Sequence, residues 1–524
     1  DMKYLLDHLL CRGVNYLVPH AFSMAEYPDV DCPPHFYARG NNPQFPWFAH
    51  LMKYANRMCA HLNGGQHAAS VAVLYDGEAD WTGKHMPMQK VGRVLLENQI
   101  EFDVISLDML RNPEEWHTVC DKDTLTINGV AFQALIVPYT EYIPCTLAKF
   151  ALQSGKFPVI IVDDLPRTVL SDEWGEGKEW SEGEREKEWK EASEIVKLSG
   201  LAQYLEKRGM KPIHLDPPDN AVTVYHYRRE RACGQERKTG NLYMVMNENP
   251  DRTYRGTITL PGNGGFFWYD GMKDAYLEIA DQEHGERSTV LPLELAPGES
   301  GLFLEGNPAD LCAAGGNTPF YAADAPASDM TAADVSAVNA PAADASAANV
   351  AATDAAAEKE GGSGKMPMRM GFESQRKECP CLLELSGGWK LELCRAKEYP
   401  EAFSCTTEEE LAPVSDRYPA FSGVMRYTKE FELTSLPEKA FFFAENVYEV
   451  MKITVNGKET GVCLTPPYQM EITPALAAGR NEIVVEIANT PGRDQSNYPA
   501  PPFDFQHECT EKSGMFGKVG IYFR

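Results

Sequence analysis

The sequence has no run of about 18 or more apolar residues, so it lacks a segment of the kind that spans a membrane as a helix. It is also poor in basic residues: 49 Lys and Arg are outnumbered by 76 Asp and Glu, and the formal net charge is −27. Nucleic acids and anionic membranes bind to basic surfaces, so neither is expected as a partner. A neutral partner, such as a sugar, is compatible with this charge.

The common nucleotide- and metal-binding patterns are also missing. Neither GxGxxG nor GxxxxGK[ST] occurs, and residues 76–81, which follow the first strand of the central region, form no glycine-rich loop. Tyr139, Thr140 and Glu141 follow a later strand, where a glutaminase-type enzyme would carry a nucleophilic cysteine. No EF-hand pattern and no zinc spacing of Cys or His is present. We therefore expect no cofactor from these patterns.

Thirteen cysteines, an odd number, are scattered along the chain, and Cys379 and Cys381 form a CxC pattern. Such usage is typical of free or buried thiols in a reducing compartment, which slightly favours the cytoplasm. The first residues, DMKYLLDHLL, lack the basic and then apolar pattern of a signal peptide. Because we expect the chain to be the later part of a longer protein, secretion stays open.

Residues 1–66 have the pattern of the last unit of a (β/α) barrel. Apolar residues at helical spacing predict a first helix that is followed by Gly13 as its C-cap. The run Asn15 to Val18 predicts a strand, and a loop rich in Pro, Asn and aromatic residues follows over 24–46. A second helix then begins at Phe48. Since one unit cannot close a barrel, we expect the other units to precede residue 1.

Residues 67–215 alternate between strand and helix patterns, which predicts an α/β domain with a parallel sheet covered on both faces. Such sheets bind ligands at the carboxyl ends of their strands. The acidic stretch 172–195 carries charges of both signs and predicts a solvated helix or lid. The strand-like runs are 70–75, 102–106, 134–138 and 158–162, and the helix-like runs lie near 87–99 and 143–154.

The rest of the chain is rich in strand patterns. Alternating runs over 216–306 predict a small antiparallel β-sandwich with Trp268 in its core. Residues 307–365 are mainly Ala, Asp, Ser, Asn and Thr, and they predict a disordered linker because they bury too little apolar surface to offset chain entropy. Alternating runs over 366–524, with a hairpin turn at Asn456-Gly457, predict a jelly-roll β-sandwich.

Four segments of this last domain resemble, in sequence and order, the galactose-binding-type β-sandwich of glycoside hydrolase family 2. They are FSGVMRYTKEFEL, NVYEVMKITVNGKETG, TPPYQMEITPALAAGRNEIVVEIANT and SGMFGKVGIYF. Residues 421–427 are similar to the strand that opens this module, 456–458 to its turn, and 479–482 to the turn before its last long strand. Residues 466–468 resemble its proline-rich edge. Many relatives carry Trp before that edge, whereas this chain has Cys463-Leu464-Thr465, so an aromatic sugar platform is not expected there.

Three N-terminal segments, NYLVPHAFS, PPHFYARGNNP and HLNGGQHAASVAVLY, resemble the region that follows the catalytic barrel in bacterial glycosidases of the family 106 α-L-rhamnosidase type. The resemblance implies that a barrel end leads into a flavodoxin- or amidotransferase-like domain and then into β-sandwiches. It also implies that the catalytic acid and base are glutamates on earlier barrel strands. Neither the acid nor the base is therefore assigned in this chain. The same resemblance leaves open whether the protein binds a calcium ion.

Glycoside hydrolysis needs two carboxylates that flank the scissile bond, about 5–10 Å apart. Glu26, Asp29 and Asp31 lie in the predicted loop, where solvation explains them, and none is assigned as catalytic. Asp163 and Asp164 end the last clear parallel strand, where a cap or turn role is expected.

Candidate substrate-binding residues lie on the loops that follow predicted strands. They supply aromatic faces and hydrogen-bonding groups suited to sugar hydroxyls. Each has a structural alternative, namely bonding to the backbone, packing of the loop on itself, or packing between domains. The candidates are His20, Tyr37, Arg39, Asn41, Asn42 and Trp81.

The predicted fold is multidomain, α/β plus all-β, with a partial (β/α) barrel end, a flavodoxin/amidotransferase-like parallel sheet and two β-sandwiches. The leading hypothesis is a fragment of a bacterial glycoside hydrolase, α-L-rhamnosidase-like, that acts on an oligosaccharide or glycoside. One alternative is a carbohydrate-binding protein that uses the C-terminal jelly-roll, and another is a structural assembly that supports a partner barrel. The sugar, the anomeric outcome and a homo-oligomeric state stay undetermined.

Overall fold

The computed structural model describes residues 2–20, 22, 36–170, 178–179, 187, 192–233, 236–306, 379–385, 387–401, 403–495 and 511–524. The α-helices in these ranges are Met2–Leu10, Phe48–His61, Met88–Leu96, Asp108–Arg111, Cys145–Gln153, Leu201–Lys207, Val414–Arg417 and Gly492–Gln495. The short 3-10 helices are Ala38–Gly40, Phe45–Trp47, Ala79–Trp81, Leu198–Gly200, Ala396–Glu398 and Thr473–Ala475. No helix in the described ranges is long and apolar enough to cross a membrane. Strands outnumber these helices and form several sheets, so the described structure is a mixed α/β architecture rich in β-strand.

The first helix, Met2–Leu10, has the predicted cap at Gly13. The backbone φ of Gly13 is +81°, a conformation that glycine adopts without steric cost. The Gly13 N–H donates to the carbonyl of Leu10, and the Val14 N–H donates to the carbonyl of Leu9. This pair of bonds is the Schellman motif, which satisfies carbonyl groups that the end of a helix leaves unpaired.

The barrel strand predicted from Asn15 to Val18 is not formed. These residues belong to no helix or strand of the described structure. Tyr16 is 67% exposed and Val18 is 77% exposed. A short apolar run becomes a strand only where a neighbour satisfies its backbone N–H and C=O groups, and no described strand lies beside this one. The strand prediction was therefore wrong, and the assignment of residues 1–66 to a barrel stays a prediction.

Both N-terminal helices pack on a sheet of the β-sandwich that follows later in the chain. Leu10 of the first helix and Tyr54 and Met58 of the second are buried against Leu242 and Leu302 of that sheet. This contact removes the apolar face of each helix from water. The one-sided burial explains why helical periodicity predicted both elements correctly.

The central region contains a five-stranded parallel sheet. Across the sheet, the strands are Glu194–Val196, Val159–Val162, Leu135–Val137, Val71–Tyr75 and Phe102–Ser106. Numbered along the chain, the strand order is 2-1-3-4-5, which is the order of flavodoxin-like doubly wound sheets. The order reverses beside Val71–Tyr75, because the second strand lies on one side of it and the third on the other.

Helices cover both faces of this sheet. Ala72 and Leu74 face the side of Cys145–Gln153, whereas Val71 and Val73 face the side of Met88–Leu96. Burial on both faces explains why three of the strands, Val71–Tyr75, Leu135–Val137 and Val159–Val162, are continuous apolar runs in the sequence. The fifth, Glu194–Val196, was missed because it ends the stretch predicted as an acidic helix or lid, most of which lies outside the described residues. A small antiparallel meander was also missed: Val119–Asp121, Thr124–Ile127 and Val130–Phe132.

The first β-sandwich has two antiparallel sheets, as the alternating runs predicted. Trp268 is 6% exposed in the core between them, and Phe266–Asp270 pairs with Ala275–Glu278 in a hairpin. One sheet consists of Gln66–His67, Val222–Cys233, Glu236–Asn247, Ser300–Glu305, Phe266–Asp270 and Ala275–Glu278. The other consists of His214–Asp216, Tyr254–Pro261, Ser288–Leu295 and Glu283–His284.

The C-terminal domain is a second sandwich of two antiparallel sheets around Trp389, which is fully buried. Asn456 and Gly457 have φ values of +51° and +75°, as the predicted two-residue hairpin turn requires. One sheet consists of Cys381–Glu384, Gly514–Phe523, Ala440–Tyr448 and Gln469–Glu471. The other consists of Ser404–Glu410, Gly387–Arg395, Gly423–Leu433, Gly479–Ala488, Val450–Val455 and Lys458–Cys463.

The linker predicted over 307–365 lies outside the described residues. Within the described ranges, the free thiols are Cys11, Cys59, Cys120, Cys145, Cys379, Cys381, Cys394 and Cys463.

Candidate functional site

The loop predicted to bind sugar is described from residue 36 onward, and its own hydrogen bonds shape it. The Asn41 side-chain amide donates to the carbonyl of Ala38 at 2.9 Å. The Asn42 side-chain oxygen accepts the Gln44 backbone N–H at 3.0 Å. Arg39 is exposed and has a φ of +47°. Asn41 and Asn42 therefore have a structural role in the loop whether or not they bind a ligand.

Aromatic rings pack together at the base of this loop. The ring of Phe36 lies 5.5 Å from that of Phe22 and 4.8 Å from that of Phe48. The ring of Tyr37 lies 4.9 Å from that of Phe45, at a steep angle. Edge-to-face aromatic contacts of this kind stabilise a loop beyond the area they bury. Tyr37 therefore also contributes to loop packing, which was its predicted alternative role.

The same loop is attached to the C-terminal sandwich. The Gln44 side-chain amide donates to a Glu449 carboxylate oxygen at 2.9 Å. Trp47 is only 5% exposed, packs in one cluster with Val450, and lies 5.6 Å from the ring of Tyr399. The predicted sugar loop is thus held against the C-terminal sandwich.

The other predicted residues lie on different segments. His20 is exposed and belongs to no described helix or strand. Trp81 ends the short helix Ala79–Trp81, beyond the first strand of the parallel sheet, and is 89% exposed. The packing between domains that was its alternative role is therefore not seen in the described structure. Glu26, Asp29 and Asp31 lie outside the described residues.

A narrow crevice opens at the carboxyl edge of the parallel sheet. It lies between the ends of Val71–Tyr75 and Leu135–Val137, where the strand order reverses. Its lining includes Asp76, Gln89 and Thr140, and it holds about 360 Å³ of space between atoms, with its mouth included. Doubly wound sheets bind ligands at such a reversal, so this crevice is the candidate site that the topology indicates.

Backbone hydrogen bonds join the two loops that form the crevice. The Met86 N–H donates to the Tyr139 carbonyl at 2.7 Å, and the Glu141 N–H donates to the Lys84 carbonyl at 2.8 Å. Because the walls are joined in this way, the crevice is preformed.

Asp76 is the unusual residue of this crevice. Both carboxylate oxygens are buried, and neither has a hydrogen bond of normal geometry to any described group. Burial, and then the charge and hydrogen bond of the nearby Glu78 carboxylate, raise the pKa of the Asp76 carboxyl to about 7, although the backbone amides of Ala79 and Glu78 oppose the rise. The crevice therefore holds a buried carboxyl group whose protonated form is favoured by its surroundings.

Sequence reasoning considered residues 76–81 only as a turn without the glycines of a nucleotide site. The signal that it passed over was an aspartate directly after a fully buried strand, at the edge where such sheets bind ligands. The burial of the Asp76 carboxylate oxygens could not be read from the sequence, because the crevice is formed together with the loop around Thr140, which is distant in sequence.

Asp163 and Asp164 have the turn roles predicted for them. The Leu198 N–H donates to the Asp163 carboxylate at 2.8 Å, and the Leu165 N–H donates to the Asp164 carboxylate at 2.8 Å. Among the described residues, no group of three or more His, Cys, Asp or Glu side chains is arranged to hold a metal ion.

Comparison with solved structures shows that nearly the whole chain shares its fold with part of a glycosidase. The rhamnosidase from Novosphingobium sp. PP1Y matches 99% of this chain with a TM-score of 0.62 and 14% sequence identity. The match covers 46% of that chain, so the present chain spans about half the length of the rhamnosidase. At this identity, the similarity shows a common fold.

Two further similarities involve a smaller part of the chain. A β-glucuronidase from Ruminococcus gnavus matches 27% of this chain and 29% of its own length, with 17% identity and a TM-score of 0.21. A β-D-mannosidase from Dictyoglomus thermophilum matches 27% of this chain and 22% of its own, with 15% identity and a TM-score of 0.21. These overlaps are too limited to define a shared fold. No protein-family profile and no curated protein sequence matches the chain.

Proposed function

We propose that this chain is part of a glycoside hydrolase of the family 106 α-L-rhamnosidase type, which cleaves O-glycosidic bonds in an oligosaccharide or glycoside. The observation that carries the proposal is the match of 99% of the chain to a rhamnosidase structure. The resemblance of its N-terminal segments to the region after the barrel in such enzymes supports the same assignment. In this proposal, the catalytic acid and base precede residue 1, on barrel strands.

The contribution of this chain is to bind and position the glycan. Arg39 is the strongest candidate for a sugar contact in the loop, since it is exposed and its guanidinium carries several donors. Tyr37, Asn41 and Asn42 hold the loop backbone through the contacts described above and so present Arg39. His20 supplies a further exposed ring.

The test is hydrolysis of p-nitrophenyl α-L-rhamnopyranoside by the 524-residue chain and by the product of the gene's full reading frame. We expect hydrolysis by the full product and none by the chain, because both carboxylates are proposed to lie outside it. Turnover by the chain alone would place the carboxylates within it. A full product that is inactive on a panel of aryl glycosides would refute the glycosidase assignment.

A structural role for the C-terminal sandwich is the second candidate. On its six-stranded sheet, the Arg426 guanidinium donates twice to one oxygen of Glu486, at 3.0 and 2.8 Å, and the Tyr399 hydroxyl donates to the other at 3.0 Å. Trp47 packs beside this group, so the surface is used for contacts within the chain. The sandwich would then support the loop and contribute to stability, with no sugar platform of its own.

A further inference from the structure

The sequence contains four Asn-Gly pairs, and the structure describes all of them. They are Asn63-Gly64, Asn128-Gly129, Asn263-Gly264 and Asn456-Gly457. In such a pair the backbone nitrogen of the glycine can attack the side-chain carboxamide of the asparagine, because glycine has no side chain to obstruct the approach. Asparagine is accordingly one of the thermolabile residues of proteins. Whether a pair reacts in the folded state depends on the geometry that the fold imposes on it.

Asn63-Gly64 has the geometry that this attack requires. The Gly64 N–H points to Oδ1 of Asn63, with 2.7 Å between the nitrogen and the oxygen. Since a C=O bond is about 1.23 Å long, the carboxamide carbon Cγ lies about 3–4 Å from that nitrogen. Reacting atoms in near-attack conformers are about 3–3.5 Å apart. Loss of the amide proton would leave a lone pair directed at the carboxamide.

The surroundings of this pair leave it open to water and able to adjust. Within the part of the chain that the structure describes, the Asn63 carboxamide has no other hydrogen bond, and both residues are exposed. Gly64 has a φ of +73°, and a Cβ added to it would meet no atom within 4 Å. Gly65 is fixed instead, because its N–H donates to the Tyr227 hydroxyl at 2.6 Å.

The carboxamide of Asn456 is held by hydrogen bonds that oppose the reaction. Its amide donates to the Ala475 carbonyl at 2.9 Å and to the Asn481 side-chain oxygen at 2.8 Å. Its oxygen accepts the Glu482 N–H at 2.9 Å. Attack by the Gly457 nitrogen would have to break these bonds.

At Asn263 the attacking nitrogen is held as well. The Gly264 N–H donates to a Glu305 carboxylate oxygen at 3.0 Å, so it points away from the neighbouring carboxamide. The Asn263 amide itself donates to the Glu286 carbonyl at 3.1 Å. Both partners of the reaction therefore have other contacts.

The pair Asn128-Gly129 forms a tight hairpin turn. Its φ values are +47° and +82°, and the turn is closed by the pairing of Ile127 with Val130. The Asn128 side-chain oxygen also lies 3.3 Å from Nδ1 of His117. Ring closure at this pair would have to distort the hairpin.

We propose that Asn63 is a site of spontaneous modification in the folded protein, through a cyclic imide formed with Gly64 and opened by water. In the first step the Gly64 nitrogen bonds to Cγ of Asn63, the Cγ–Nδ2 bond breaks, and ammonia leaves with the proton of the Gly64 N–H. Water then adds to either carbonyl of the imide and breaks its bond to the Gly64 nitrogen. The product has an aspartate or an isoaspartate in place of Asn63.

Both products change the connection between the helix Phe48–His61 and the strand Gln66–His67. Each adds a carboxylate, and isoaspartate also adds one carbon to the backbone. The open space around Gly64 can take up this atom, while the pairing of Gln66 with Arg228 keeps the strand in place. We therefore expect the modified chain to remain folded.

The test is to incubate the 524-residue chain in heavy-oxygen water at pH 8 and 37 °C. Mass spectrometry of peptides detects the oxygen incorporated at each Asn-Gly pair, and enzymatic methylation measures isoaspartate. A parallel incubation in urea removes the fold and gives the intrinsic rate of each pair. The other three pairs are matched controls within the same molecule, and Asn63→Gln keeps the amide but requires a larger ring.

In the folded chain, Asn63 should react at least about tenfold faster than each control asparagine, because only its carboxamide is held near the attacking nitrogen without competing contacts. In urea the four rates should become similar. Asn63→Gln should abolish the reaction at this position. The modified chain, separated by ion exchange, should unfold at the same temperature as the unmodified chain.

Equal rates at the four pairs in the folded chain, or a slower rate at Asn63 than at any control, would overturn the proposal. Aspartate without isoaspartate would show direct hydrolysis of the side chain and would overturn the cyclic route. A clearly lower unfolding temperature of the modified chain would contradict its expected tolerance. Since none of these measurements involves glycoside hydrolysis, failure of the proposed function would leave them unaffected.

Discussion

Among single residues, His67 connects two domains through its charge. Its strand, Gln66–His67, pairs with a strand of the first sandwich. Its two ring nitrogens lie 2.6 Å from a Glu101 carboxylate oxygen and 2.7 Å from an Asp103 carboxylate oxygen. These two residues flank Phe102, where a strand of the parallel sheet begins. Burial lowers the pKa of His67, but the two carboxylates outweigh that effect and raise the pKa to about 9. Folding therefore favours the protonated ring.

This pKa predicts a pH-dependent contribution to stability. The unfolded pKa is about 6.5, so the stabilisation is fully present below that value and is lost as pH rises through about 9. His67→Gln should reduce the free energy of unfolding by about 3 kcal/mol at pH 6 and by little at pH 10. Urea titrations at both pH values measure this difference.

The control for His67 is His214→Gln, since His214 pairs with Glu206 at 3.6 Å on an exposed surface. It should change the free energy of unfolding by less than about 1 kcal/mol at either pH. An effect of His67→Gln that is the same at pH 6 and pH 10 would contradict a role for the charge.

At the scale of elements, the helix Met2–Leu10 is attached by a buried carboxylate. Asp7 has no exposed surface, and it accepts hydrogen bonds from Lys3 at 2.6 Å, from Ser300 at 2.7 Å and from the Tyr54 hydroxyl. These partners belong to the first helix, the second helix and a strand of the sandwich. One side chain therefore joins three elements that are far apart in the chain.

Removing this carboxylate should be costly. Asp7→Ala leaves Lys3, Tyr54 and Ser300 without their shared acceptor, and we expect a loss of about 3–5 kcal/mol in the free energy of unfolding. Glu97→Ala is a matched control, because Arg93 and Glu97, the C-cap of the same helix, also form an ion pair four residues apart, but Arg93 is 79% exposed. The control should cost less than about 1 kcal/mol, and equal losses in the two variants would show that burial of the Asp7 network is not the cause.

For the whole molecule, the contact around Trp47 connects the N-terminal segment to the C-terminal sandwich. The indole is buried with Val424, Val450 and Ala488 on the sheet of that sandwich. Gln44 and Glu449 add a hydrogen bond at the same place. Since Trp47 supplies the large apolar side chain of this contact, it should couple the unfolding of the two parts.

Trp47→Ala is therefore expected to separate the C-terminal sandwich from the rest in thermal unfolding. Differential scanning calorimetry should show an additional transition, at a lower temperature than in the unmodified chain. Trp116→Ala is the control, because Trp116 packs within the α/β domain and its loss should lower stability without uncoupling the sandwich. An unfolding profile of Trp47→Ala with no additional transition would show that other contacts couple the parts.

Much of the local structure could be predicted from the sequence. Burial on both faces made three parallel strands into apolar runs, and the Asn456-Gly457 turn could be read directly, because both residues tolerate a positive φ. The run Asn15 to Val18 was misread, since an apolar run does not say whether a neighbouring strand exists. The predicted loop candidates Asn41 and Asn42 proved to bond the loop backbone, and the Asp76 crevice was not identified.

By itself, the sequence determined most of the segments that become helices, strands and tight turns, because periodicity and backbone preference act between residues that are close along the chain. Only the tertiary structure decided that the N-terminal helices cover the first sandwich, that Trp47 lies against the second, and that the carboxylate oxygens of Asp76 are buried. Each of these features depends on groups that are distant in sequence, and the burial or pairing of such groups is settled only when the chain has folded.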